Sequence, residues 1–174
     1  MELFKWMDDD NLEHVSEVIN NWWENKADAT ELTKALVVSL YKKGDPKKQE
    51  NYRPISLLKS IYKIYAGILK KRIEEGIEED IQKSQFGFRK NKSTTQALYI
   101  LRRVQDNAES SGEPLVMAFL DWEKAFDRIK HDKIFRALEK LGIDQKLINA
   151  IKEIYRNPQF KVVAEQSEST WHQQ

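Results

Sequence analysis

Two aspartates, Asp121 and Asp127, close the most chemically suggestive run of this chain, Val116-Met117-Ala118-Phe119-Leu120-Asp121-Trp122-Glu123-Lys124-Ala125-Phe126-Asp127. The apolar part reads as a short strand that delivers Asp121 to its end. A carboxylate held there suits Mg²⁺, because a hard cation takes oxygen ligands and a rigid strand aims them. Asp127 reads either as a second ligand or as the anchor of the next turn, capping a short helix before His131. The ring of Phe126 stands where it could wall a nucleotide pocket, or it could simply be core, as most phenylalanines are. The three histidines, His14, His131 and His172, show no ligand spacing.

Two further blocks lie upstream. The first is Leu40-Tyr41-Lys42-Lys43-Gly44-Asp45 followed by Asn51-Tyr52-Arg53-Pro54-Ile55-Ser56-Leu57-Leu58. The second is Gln85-Phe86-Gly87-Phe88-Arg89 followed by Ser93-Thr94-Thr95-Gln96-Ala97. With the Leu-Asp-x-x-x-Ala-Phe-Asp run, these resemble three ordered motifs of the reverse transcriptases, in the form found in group II introns and LINE-type retrotransposons. The resemblance runs from about Leu36 to Phe160, and the first thirty-odd residues resemble a helical lead-in.

That resemblance implies roles. Asp121 would be a catalytic metal ligand, with the backbone carbonyl of Trp122 beside it, in a two-Mg²⁺ site. Lys42 and Arg53 would meet the phosphates of an incoming deoxynucleotide triphosphate. A point-charge ammonium and a bidentate guanidinium suit phosphate oxygens. Phe126 would pack under the sugar and reject a ribose 2′-hydroxyl. Gly87 lets backbone approach a ligand closely, and Phe88 and Arg89 could stack on or clamp a template strand. Lys42, Arg53 and Asp121 are then expected to face one cleft.

The elements that must position these residues follow from pattern. A helix is expected after Asp10-Asn11-Leu12-Glu13, a capping-box sequence, stopping near Asn25-Lys26. Residues 35–41 are β-branched and apolar and predict a strand. Gly44-Asp45-Pro46 is turn chemistry. Three- and four-residue spacing of Leu57, Leu58, Ile61, Ile64, Tyr65, Ile68, Leu69 and Ile73 predicts a helix over 56–77. Ser93-Thr94-Thr95-Gln96 opens another, ended by Ser110 to Pro114. The motif strand is expected at 115–121. A helix over about 131–141 ends at Gly142, and Asp144 caps one running to Tyr155. Residues 160–165 read as a strand whose partner should lie beyond the C-terminus.

Composition bounds the rest. The chain has 174 residues, 33% charged and 40% hydrophobic, with five Trp, seven Phe and six Tyr for burial. That is enough for one domain with a core. No apolar run approaches the roughly 20 residues of a membrane span. The absence of cysteine excludes disulfides and thiolate zinc sites. Net charge is only +1, but cations concentrate between Lys34 and Lys92 while the first thirty residues are acidic. Local field, not the total, decides where a polyanion sits.

The expected fold is α+β: reverse-transcriptase-like fingers and a partial palm, with helices packed on a small, mostly antiparallel sheet. The division is a helical lead-in over 1–34, a fingers-like region over 35–112 and a partial palm over 113–174. The expected function is that of part of an RNA-directed DNA polymerase. Its partners would be an RNA template, a DNA primer and deoxynucleotide triphosphates, in the nucleus or cytoplasm and without a membrane. No Ala-Asp-Asp hairpin follows within the chain, so truncation before that hairpin and inactivity of the isolated chain are expected. A non-catalytic RNA-binding module or a degenerate relic is the alternative. An unrelated Mg²⁺ phosphotransferase using Asp121 and Asp127 is a third reading, opposed by the Lys42/Arg53 and Gly87-Phe88-Arg89 blocks.

Overall fold

The computed structural model describes residues 2–24, 30–123, 125–164 and 167–173, with the backbone alone for Glu2, Leu3, Glu31 and Asp127. Helices and a small mixed sheet make up the molecule. In chain order they are α1 (Asp9–Trp23), α2 (Thr30–Thr33), β1 (Ala35–Tyr41), β2 (Tyr52–Leu57), α3 (Ser60–Ile77), α4 (Thr94–Ser111), α5 (Ala125–Arg128), α6 (His131–Lys140), α7 (Gln145–Tyr155), β3 (Gln159–Ala164), β4 (Ser167–Glu168) and β5 (His172–Gln173).

Local chemistry sets the helix ends. The Asp8 carboxylate, two residues before the expected cap, accepts from the Asn11 amide at 2.9 Å. It thereby satisfies one of the orphan amides of the first turn of α1. At α4, Ser93 and Gln96 form the reciprocal capping box. The Asp144 carboxylate accepts from the Lys146 and Leu147 amides at 2.9 and 3.3 Å. Gly112 and Gly142, at φ +68° and +70°, take the left-handed conformation just past α4 and α6. The expected end of α1 at Asn25-Lys26 lies outside the described residues.

The core is helical. Trp22 of α1, Leu32 of α2, Tyr65 and Leu69 of α3, Leu138 of α6 and Ile148 of α7 lie in one buried cluster. The Trp22 and Tyr65 rings meet edge to face at 5.7 Å, a geometry the ring quadrupoles favour. Trp23 is flanked by cations, with Arg72 of α3 at 4.4 Å and Lys146 of α7 at 5.1 Å from its ring. Lys146 also pairs with Glu24 at 2.6 Å. Burial raises the pKa of the Tyr62 and Tyr65 phenols above the ordinary value, because the phenolate would lose its hydration. Among the described residues no helix is long and apolar enough to cross a membrane.

The sheet has strand order β2-β1-β3-β4, with β5 also on β3. β1 and β2 are antiparallel, with Leu40 opposite Arg53 and Tyr41 opposite Tyr52. β1 and β3 are parallel, and β3 is antiparallel to β4 and β5.

Three expectations are corrected here. Residues 52–57 form the edge strand β2, so α3 begins at Ser60 rather than Ser56. Pro54 has no amide to donate, and an edge strand can leave one side unpaired. Secondly, β3 does have partners within the chain, β1 above all. A pairing between strands so far apart in sequence leaves no local signature. Thirdly, residues 113–122 form no strand. Val116, Phe119, Leu120 and Trp122 are largely exposed. An apolar run becomes a strand only where a neighbour accepts its ladder hydrogen bonds. Among the described residues none pairs with this one.

Candidate nucleotide and nucleic-acid site

Lys42 and Arg53 are set by the β1–β2 hairpin. The Lys42 amide donates to the Asn51 carbonyl at 2.8 Å, carrying the pairing one step beyond the strand. Register puts Arg53 opposite Leu40. Strand alternation then carries Lys42 to the face shared by Leu40 and Arg53, as a diagonal neighbour of the guanidinium. Both cations are exposed, and among the described residues neither joins an ion pair.

The connecting turn is tightly built. Asp45 Oδ1 accepts from the Lys47 amide at 2.9 Å, and Asn51 Nδ2 donates to the Asp45 carbonyl at 2.9 Å. The Tyr52 hydroxyl donates to the Pro46 carbonyl at 3.0 Å, and the Tyr41 and Tyr52 rings meet edge to face at 5.5 Å. Gly44 sits at φ +96°, where a Cβ would fall 2.7 Å from Asn51 Nδ2. Only glycine meets both demands without strain.

The second block and the aspartate run come together through Phe88 and Phe126. Their rings meet edge to face at 6.4 Å and 83°. Phe88 is 94% exposed, and its backbone sits at φ +60°, a region that bulky residues avoid. Phe126 is also exposed, so it is not core.

Arg89 turns the other way. Its Nη2 donates to Glu78 Oε1 at 2.6 Å and its Nη1 to the Gln82 carbonyl at 3.0 Å. Its side chain is 9% exposed. The guanidinium expected to grip a template is thus committed to the protein. Glu78, its partner, carried no signal in the sequence. It stands just past the last residue of α3, in a polar Glu-Glu-Asp run with no motif around it.

Asp121 lies exposed on the extended segment. No hydrogen bond or ion pair joins it to Lys42 or Arg53 among the described residues. The nearby pair Arg128–Glu123, at 2.8 Å, closes the turn into α5 without it. A two-metal centre needs several oxygen ligands around metals roughly 4 Å apart. Among the described residues no group of three His, Cys, Asp or Glu side chains could hold a metal ion. Among the described residues Asp121 and the Trp122 carbonyl are therefore not joined by the further carboxylates that a complete two-metal centre needs.

A hairpin with two exposed cations on one face, an aromatic loop and an Asp-x-x-x-Ala-Phe-Asp run are the parts expected of one class of polymerase. The family model described as reverse transcriptase (RNA-dependent DNA polymerase) matches residues 42–173. The chain belongs to the reverse transcriptase family, and the LINE-type resemblance of its motifs agrees with its relatives. It is 33% identical over 110 residues to a probable RNA-directed DNA polymerase from transposon BS of Drosophila melanogaster, covering 62% of this chain and 12% of that protein. It is 31% identical over 134 residues to the RNA-directed DNA polymerase from mobile element jockey of Drosophila funebris, covering 75% of this chain and 14% of that one. A third relative is the retrovirus-related Pol polyprotein from type-1 retrotransposable element R2 of Popillia japonica. Identity there is 31% over 110 residues, covering 63% of this chain and 15% of the polyprotein. The chain thus spans only a small part of the length of the relatives it matches.

Proposed function

We propose that the chain forms the fingers and the first part of the palm of an RNA-directed DNA polymerase, where template and incoming nucleotide are gathered. In this reading Lys42 and Arg53 take the triphosphate of a deoxynucleotide. Phe126 lies under its sugar, and Phe88 offers a face on which a template base stacks. Asp121 contributes one carboxylate to metal chemistry that the described residues do not complete. The protein's own work here is positioning and charge neutralisation, the main sources of rate in phosphoryl transfer. The partners are an RNA template and a DNA primer.

The observation that carries the reading is the Phe88–Phe126 contact. It joins two blocks far apart in sequence into one exposed aromatic surface, as a site for stacked bases and sugars requires.

The test is single-stranded RNA binding by the 174-residue chain, followed by fluorescence anisotropy across salt. Affinity is expected to fall steeply between about 50 and about 200 mM salt, because each phosphate contact releases counterions. Phe88→Ala is expected to weaken RNA binding, and Lys42→Ala and Arg53→Ala are each expected to weaken binding of a fluorescent deoxynucleotide triphosphate, whose phosphates they would meet. Equal affinity at both salt concentrations, or none at either, defeats the proposal.

A further inference from the structure

Phe88 holds a backbone conformation that its side chain disfavours, at φ +60°, while exposing 94% of its surface. No burial of its own ring stabilises that arrangement, so neighbouring groups must hold it. Its edge contact with Phe126 is shared by two exposed rings and is too slight to do so alone. The next residue is nearly the reverse of it. Arg89 is folded under the loop against the end of α3, paired with Glu78 and bonded to the Gln82 carbonyl. Its Nε is buried with no hydrogen-bond partner among the described residues.

A buried guanidinium keeps its place only while its counter-charge stays. The cation also lies where the end of a helix favours positive charge. The Lys92 amide, donating to the Arg89 carbonyl at 3.3 Å, closes the turn behind it. Burying Arg89 and projecting Phe88 are therefore one conformational event: the peptide that tucks the first turns the second outward.

We infer that Glu78 and Arg89 are positioning residues. Their ion pair holds the 82–92 loop so that Phe88 stands out beside Phe126, and Arg89 does not itself touch nucleic acid. The inference rests on the proposed nucleic-acid role for its functional consequence, but not for its conformational content.

The two ideas about Arg89 predict opposite signs for one mild change. Glu78→Gln removes the counter-charge and keeps the shape. If Arg89 were a phosphate contact restrained by Glu78, freeing it would tighten RNA binding. If the pair positions Phe88, Glu78→Gln weakens binding several-fold. In that case the salt slope stays at the wild-type value, and Glu78→Gln has no added effect in a Phe88→Ala background. The exchange Glu78→Arg with Arg89→Glu is expected to restore part of the loss. Tighter or unchanged binding on Glu78→Gln overturns the inference. So does a salt slope lowered by about 0.7 on Arg89→Gln, the signature of one lost phosphate contact.

A second readout needs no RNA. With 4-fluorophenylalanine at position 88, the fluorine resonance of the whole chain should move on Phe126→Leu. It should move in the same sense on Glu78→Gln and return in the exchanged pair. A resonance indifferent to Glu78→Gln overturns the inference. If the wild-type chain binds no RNA, the proposed function falls, and the fluorine result alone decides the positioning role.

Discussion

Ile148 and Leu120 are both aliphatic, and they finish far apart, 0% and 87% exposed. Ile148 lies on α7, which makes its backbone hydrogen bonds within itself and needs only an apolar face to dock. Leu120 lies in an extended run that no neighbouring strand pairs with among the described residues, so its backbone is left to water. Hydrophobicity alone does not bury a residue; the element that carries it must form and must also find a surface to pack on. α4 stands between the two cases. Its caps and internal hydrogen bonds form the helix, yet Leu98, Tyr99 and Ile100 on it remain exposed. A helix can exist before it finds a partner surface, whereas a strand cannot.

The largest effect expected is in the core. Ile148→Ala should lower unfolding free energy by about 2–5 kcal/mol, from lost burial and the cavity left behind. Leu120→Ala should change it by less than about 0.5 kcal/mol, since little burial is lost. Urea denaturation of the two variants measures both, and comparable losses would break the contrast between the regions.

A smaller and local effect is expected at the hairpin. Gly44→Ala puts a Cβ into Asn51 and forces a side chain onto φ +96°. The cost should be about 1 kcal/mol or more, exceeding the usual gain from a stiffer unfolded chain. Hydrogen exchange should quicken at the Lys42 amide, which bonds to Asn51 across the turn. The amides of α7 should keep their protection, because local and global opening are separate events. Equal quickening in both places would mean that hairpin and core unfold as one unit.

The smallest effect is in the pH dependence of the core. Tyr62 and Tyr65 have pKa values raised in the folded state, so above pH 10 the unfolded chain loses phenolic protons that the folded chain keeps. Their contribution is whole below the unfolded value and is lost as pH rises through the folded one. Denaturation midpoints should therefore decline above pH 10, and less steeply in Tyr62→Phe and Tyr65→Phe. A decline unaffected by either change would place its origin elsewhere.

Much of this molecule was legible in the sequence because its signals are local. The stripe of α3, the capping box of α4, the Asp144 cap and the glycines at 112 and 142 act within a few residues of themselves. The three ordered blocks led to the family that the comparison bears out. Other features depended on groups distant in the chain. Pairing of β1 with β3 joins Leu36 to Lys161, and no pattern near either residue announces it. The 115–121 run carries the composition of a strand but not the neighbour a strand requires. Gln-Phe-Gly-Phe-Arg named Phe88 and Arg89 together, yet only packing against the end of α3 turned one outward and the other in. Sequence determined what each segment could become, through propensity, caps and hydrophobic period. Tertiary structure decided which segments found partners, because ladder hydrogen bonds and ion pairs are made between residues that only folding brings together.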